Sequence, residues 1–207
     1  MNFVSKSLHH SNIVFLVPPD QLKAVDPQQV FNLFPVEVLR GSTFVDDPVM
    51  HLKVFGFPAN QITVVIEENR LRLEDDSGKN PEETKKGLEA YRILKTLFPN
   101  IKPQSWGFNY DIMYRADQVI PQREILKNFV ADQDMENVRD FGWQFTLKDP
   151  KQNRQRTYFF KVVSPLEVAL HMNDHFLDVP FGSADDLQSL YESSFKQADQ
   201  ILNQLTF

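Results

Sequence analysis

The chain contains no cysteine among its 207 residues. A disulfide framework, a thiolate metal site and a cysteine nucleophile are therefore excluded, and redox chemistry would have to come from a bound cofactor. Glycine is scarce too, with 7 residues against 18 phenylalanines. That leaves little material for a glycine-rich phosphate cradle, and it points to a large aromatic interior with few tight turns. An excess of basic charge is also missing, since 22 Lys and Arg face 28 Asp and Glu for a net charge of -6. A nucleic-acid binder needs a dense Lys/Arg lining, so nucleic acid is not an expected partner. The apolar run Ile13-Val14-Phe15-Leu16-Val17 is too short for a signal-peptide core and far too short to span a bilayer. The reading is a cytoplasmic protein without a membrane partner. A nucleophile elbow, an HExxH helix and a kinase signature set are all absent. No catalytic residue, cofactor or metal ligand is expected.

What is present is a sequence of strand and helix signals that runs twice. Asn12 to Val17 reads as a strand, and Asp26 caps a short helix that opens at Pro27 and ends before Pro35. Strands follow at Val36 to Arg40, Met50 to Phe55, Ile62 to Glu67 and Arg70 to Glu74, with Glu68-Asn69 as a two-residue turn. A long helix from Pro81 to Phe98 closes the unit, capped by Asn80 with Glu83 three residues on and striped by Leu88, Tyr91, Leu94 and Phe98.

The second half repeats that order. Trp106, Phe108, Tyr110, Ile112 and Tyr114 alternate with Gly107, Asn109, Asp111, Met113 and Arg115, the period of a half-buried strand. Pro121 opens a short helix, strands follow at Trp143 to Leu147 and Thr157 to Val163, and Leu166 to Met172 alternates again before a turn expected at Asn173-Asp174. The last helix, Ser183 to about Leu205, gathers Leu187, Tyr191, Phe195, Ala198 and Leu202 on one face.

The expected fold is α+β: a tandem duplication of a β-α-β(3-4)-α unit, residues 12–99 and 105–207 of a single domain, forming one twisted antiparallel sheet with two long helices on one face. That order matches the topology of the TATA-binding-protein fold, an analogy of element order alone, because no motif of that family occurs. The alignment pairs Pro27 with Pro121, Asn69 with Asn173, and the helix from Pro81 with the helix from Ser183. It assigns the extra residues of the second half to Ala131 to Asp140 and to the polar loop Asp149 to Arg156.

Glu167, His171 and His175, spaced by four, would share one face of a helix and could then ligate zinc or iron. The strict alternation around them argues for strands and against the metal site. His9-His10 reads as a solvated pair in a frayed N-terminus. The acidic pairs Asp46-Asp47, Glu67-Glu68 and Asp185-Asp186 and the run Glu74-Asp75-Asp76 fall at turns and helix starts, where they face water or the helix dipole.

Function is expected on the sheet face that the long helices leave uncovered. Phe55, Val65, Met113, Arg115 and Phe159 are expected there as partner-binding residues, among His51, Lys53, Asn109, Asp111 and His171. A mixed, partly aromatic surface suits a protein partner or a second copy of the chain. The expectation is a non-enzymatic interaction module, oligomeric through this face. The alternative is a small-molecule carrier or enzyme with an apolar pocket between the sheet and the C-terminal helix.

Overall fold

A computed structural model of the chain describes residues 2–127, 138 and 141–204. In chain order the elements are β1 (Phe3–Leu16), α1 (Pro19–Lys23), α2 (Pro27–Phe31), β2 (Thr43–Asp47), β3 (Leu52–Phe57), β4 (Ile62–Glu67), β5 (Arg70–Asp75), α3 (Lys86–Leu97), β6 (Ser105–Ala116), α4 (Gln122–Leu126), β7 (Phe141–Asp149), β8 (Arg154–Ser164), β9 (Glu167–Leu177) and α5 (Ala184–Gln204). The nine strands form one sheet in the order β2-β3-β4-β5-β1-β6-β9-β8-β7. Every neighbouring pair is antiparallel. The α+β class and the single antiparallel sheet are as the alternation implied.

Apolar side chains from one face of this sheet meet the helices. Ile13 and Phe15 of β1, Val64 of β4, Phe108 and Tyr110 of β6 and Phe160 of β8 are each at most 1% exposed. Above them α5 contributes Leu187, Tyr191, Phe195, Ala198 and Leu202, and α3 contributes Ala90, Ile93 and Leu94. The Leu88 and Tyr91 expected in the α3 stripe are only half-buried. Trp106 stacks on Phe176 with centroids 4.0 Å apart, and Tyr110 on Tyr191 at 5.4 Å. At the other end Phe31 of α2 lies edge-on to Phe55 and Phe57, and Phe34 packs on Phe57 at 4.0 Å.

Buried polar groups tie α5 to the sheet. Asp174 is completely buried and takes both Nε (2.7 Å) and Nη2 of Arg154, together with the Ser194 hydroxyl from α5 at 2.6 Å. The Tyr110 hydroxyl donates to the Tyr191 carbonyl at 2.7 Å, and Ser11 and Tyr191 hydroxyls meet at 2.6 Å. Burial raises the pKa of both phenols above the ordinary tyrosine value, so they stay protonated and structural.

Several boundaries differ from the sequence reading. Val36 to Arg40 is a series of turns, with Val38 N–H bonded to the Pro35 carbonyl, and the outer strand is instead Thr43–Asp47. The helix expected from Pro81 begins as a separate 3-10 turn, Pro81–Glu83, before α3. Leu166 to Val179 is not a hairpin. β9 runs unbroken through Asn173 and Asp174, because the first bonds sideways within the sheet and the second anchors Arg154. The reversal lies between β8 and β9, where the Ser164 hydroxyl donates to Glu167. Asn69 sits in the β4–β5 turn while Asn173 is mid-strand, so that pairing fails. Ala131 to Asp140 lies outside the described residues, Val138 excepted. Among the described residues no helix is long and apolar enough to cross a membrane.

Candidate functional site on the open sheet face

Helices α1, α2, α3 and α5 pack on one face, and the opposite, open face is organised in rows that cross the strands. One row passes through all nine: Thr43, Gly56, Thr63, Glu74, Asn12, Asn109, Asn173, Thr157 and Thr146 occupy successive register positions. Its centre is an amide ladder. Asn173 Nδ2 donates to Asn109 Oδ1 at 2.5 Å, and Asn109 Nδ2 donates to Asn12 Oδ1 at 2.7 Å. Farther along, the Thr146 and Thr157 hydroxyls meet at 3.0 Å. Asn109 spends both its carbonyl and one amide N–H in the ladder, whereas Asn173 spends one N–H and Asn12 only its carbonyl.

A second row alternates acid and imidazole. His10, Asp111, His171 and Phe159 are register partners in turn on β1, β6, β9 and β8. Asp111 receives His171 Nδ1 at 2.7 Å on one oxygen and stands 3.3 Å from His10 Nδ1 on the other. These two imidazoles hold the Asp111 carboxyl below the usual carboxylate range, and the Asp111 contact raises the His10 pKa.

His10 reaches this row through a β-bulge. The pairing steps from Leu8 opposite Ile112 to His10 opposite Asp111, so two positions advance on β1 for one on β6. Leu8 and Ser11 are therefore both buried on the covered face, with His10 turned outward between them. His10 lies inside a central strand, not in the frayed terminus that the sequence suggested.

A third row contains Gly107, with Val14, Arg72 and His175 as its neighbours. A Cβ at Gly107 would lie 2.5 Å from the Asp174 carbonyl oxygen, so the position requires glycine. The missing side chain leaves a depression of about 270 Å³ walled by Val14, Arg70, Arg72, Asn109, Asn173 and His175. Arg72 is held by carboxylates, with Glu74 at 2.9 Å and Glu67 at 3.6 Å. Desolvation lowers the His175 pKa. A second hollow, about 240 Å³, lies beside Phe159 and is lined by Met113, Lys161, Ala169 and His171 among others.

Of the five residues expected on this face, Met113, Arg115 and Phe159 are there, Phe159 at 40% exposure. Val65 also has open-face register, opposite Arg72, but is only 3% exposed. Phe55 is a correction. It pairs with Val64, is fully buried, and meets Phe31 of α2 on the covered face. Lys53 follows the same correction, its ammonium donating to the Val25 carbonyl at 2.7 Å. The helix that would have gathered Glu167, His171 and His175 on one face does not occur, and the segment is a strand as its alternation implied. Glu167, His171 and His175 lie along one strand, where a separation of four residues amounts to roughly 13 Å.

The sequence reading missed the amide ladder and the contacts of Asp111 with His10 and His171. Both depend on which strands are neighbours, and Asn12, Asn109 and Asn173 give no local signal of sharing a row. No known protein-family model matches the chain, and no curated protein is recognisably similar to it in sequence.

Proposed function

We propose that the chain is a non-enzymatic interaction module that pairs with a second copy of itself through the open sheet face. The observation that carries this reading is the exposed Phe159 standing beside its own hollow, with Met113 in the hollow's wall. In a twofold pairing the same patch serves as both knob and hole. The rows support it: acids and bases alternate along the face, so a rotated copy can set carboxylates against imidazoles and Arg115. Area is sufficient as well. Nine strands at about 4.8 Å spacing span roughly 40 Å, and a stable pairing needs about 800 Å² per partner. The close packing of Trp106, Phe108, Tyr110, Phe176, Tyr191 and Phe195 gives a carrier or enzyme pocket under α5 the weaker support.

The symmetry of the strand order supports the finer reading of the fold, two pseudo-repeats with TATA-binding-protein-like topology. From the centre outward β1, β5, β4 and β3 correspond to β6, β9, β8 and β7, and the long helices α3 and α5 follow β5 and β9. With the β8–β9 turn at Pro165-Leu166, the counterpart of Asn69 is that turn and not Asn173.

Light scattering over a concentration series tests the function. The wild-type chain is expected at twice its monomer mass of 24.1 kDa, and Phe159→Asp, a change at an exposed position, is expected at the monomer mass with an unchanged circular dichroism spectrum. A wild-type monomer at the highest concentration, or a dimer indifferent to Phe159→Asp, would sink the proposal.

A further inference from the structure

We propose that His10, Glu74 and Asp76 form a site for a divalent transition-metal ion on the open sheet face. Each offers one ligand atom, and the three atoms lie within 4.8 Å of one another. Around a zinc-sized ion at about 2.1 Å the ligand atoms stand roughly 3.4 Å apart. Half-exposed and exposed side chains close that difference by small rotations.

The placement follows from the strands. Glu74 pairs with Asn12 on the open face, and Asp76 leaves the end of β5 with its N–H bonded to the Gln61 carbonyl. The bulge in β1 turns His10 toward them. None of the three is spent by its other contacts. The Thr63 hydroxyl donates to Asp76 Oδ2 and leaves Oδ1 free, while Arg72 approaches Glu74 only at Oε1. His10 presents Nδ1 to Asp111, which leaves Nε2 for a ligand. A metal-bound histidine whose second nitrogen meets a carboxylate is the arrangement that fixes ring orientation and raises ligand basicity. Here that carboxylate is itself fixed from the far side by His171 at 2.7 Å.

Charge points the same way. With neutral imidazoles, Glu74, Asp76 and Asp111 against the single guanidinium of Arg72 leave two negative charges, which a divalent ion balances. One imidazole with two carboxylates suits zinc, manganese or ferrous iron in preference to calcium. Three protein ligands leave the remaining coordination positions to water.

The probe is zinc chloride, and in parallel manganese chloride, titrated calorimetrically into the full chain after chelator treatment and desalting at neutral pH. The expected result is one saturable site per chain for at least one of the two metals. His10→Ala and Asp76→Asn should each weaken it by at least about tenfold, and Asp111→Asn by about tenfold through ring orientation. His9→Ala, which removes the adjacent exposed imidazole, should leave it unchanged. Asp76 is exposed, so Asp76→Asn keeps the test valid should His10→Ala perturb folding. Absence of a saturable site for both metals, binding unaffected by Asp76→Asn, or loss of binding on His9→Ala would each overturn the assignment. Because the site lies on the face proposed to pair, the titration is repeated on the monomeric Phe159→Asp chain, where a saturable site lost on Asp76→Asn is expected and its absence overturns the assignment whatever the state of the wild-type chain.

Discussion

Gly87 of α3 lies so close to Gln188 of α5 that a Cβ on the glycine would stand 2.6 Å from the Gln188 Cα. The contact is also polar, because Gly87 N–H donates to Gln188 Oε1 at 2.8 Å while Gln188 Nε2 donates to the Pro81 and Thr84 carbonyls at 3.1 Å each. One glutamine thus takes up one open N–H at the start of α3 and two carbonyls of the turn before it. Gly87→Ala should cost about 1–3 kcal/mol through overpacking, although alanine is the better helix former. Urea unfolding of the variant checks this, and a stabilised protein would show that the helices separate more easily than the packing implies.

The buried pair of Asp174 with Arg154 carries a larger effect. Asp174→Ala strands a guanidinium that is only 8% exposed and removes the Ser194 link to α5. A loss of about 3–5 kcal/mol is expected in chemical denaturation. A change below about 1 kcal/mol would mean that water reaches Arg154 in solution.

Two histidines on the same face should titrate in opposite directions in chelator-treated protein. Contact with Asp111 raises the His10 pKa, whereas burial lowers that of His175. The linkage signs follow. His10 adds stability below its unfolded value of about 6.5 and loses that contribution as pH rises through its folded pKa. His175 subtracts stability as pH falls below about 6.5, because the unfolded chain then binds the proton more readily. NMR titration should place the two on either side of the ordinary value. Asp111→Asn should bring His10 down and leave His175 where it is. A His10 pKa unmoved by that substitution would contradict the Asp111 contact.

Much of the covered face was legible because its residues obey a local rule. The alternation from Trp106 to Tyr114 names the buried side of β6, and the spacing of Leu187, Tyr191, Phe195 and Ala198 names the buried side of α5. Errors arose where both faces of a strand are apolar or where a polar residue has a distant partner. In β3, Val54 and Phe55 are adjacent apolar residues, and only the pairing of Phe55 with Val64 under α2 decides between the faces. Asn173-Asp174 resembles a turn, yet each side chain is bonded to another strand. His10 was read as part of a frayed terminus because a bulge breaks the alternation there, and nothing in Leu8-His9-His10 announces it. Edge strand β2 was missed because its side chains are largely exposed and carry little apolar pattern.

The most direct test of pairing through the open face uses methyl-labelled methionine, because three of these residues occupy different settings. Met113 lies on the open face beside Phe159, Met172 is fully buried under the helices, and Met50 is 66% exposed at the distant β2–β3 turn. On dilution of the wild-type chain the Met113 methyl resonance should shift or broaden as dimer gives way to monomer, with Met172 and Met50 unmoved. In Phe159→Asp the Met113 signal should hold its dilute-limit behaviour at every concentration. A Met113 resonance indifferent to dilution, or a concentration dependence confined to Met50, would contradict self-association through this face.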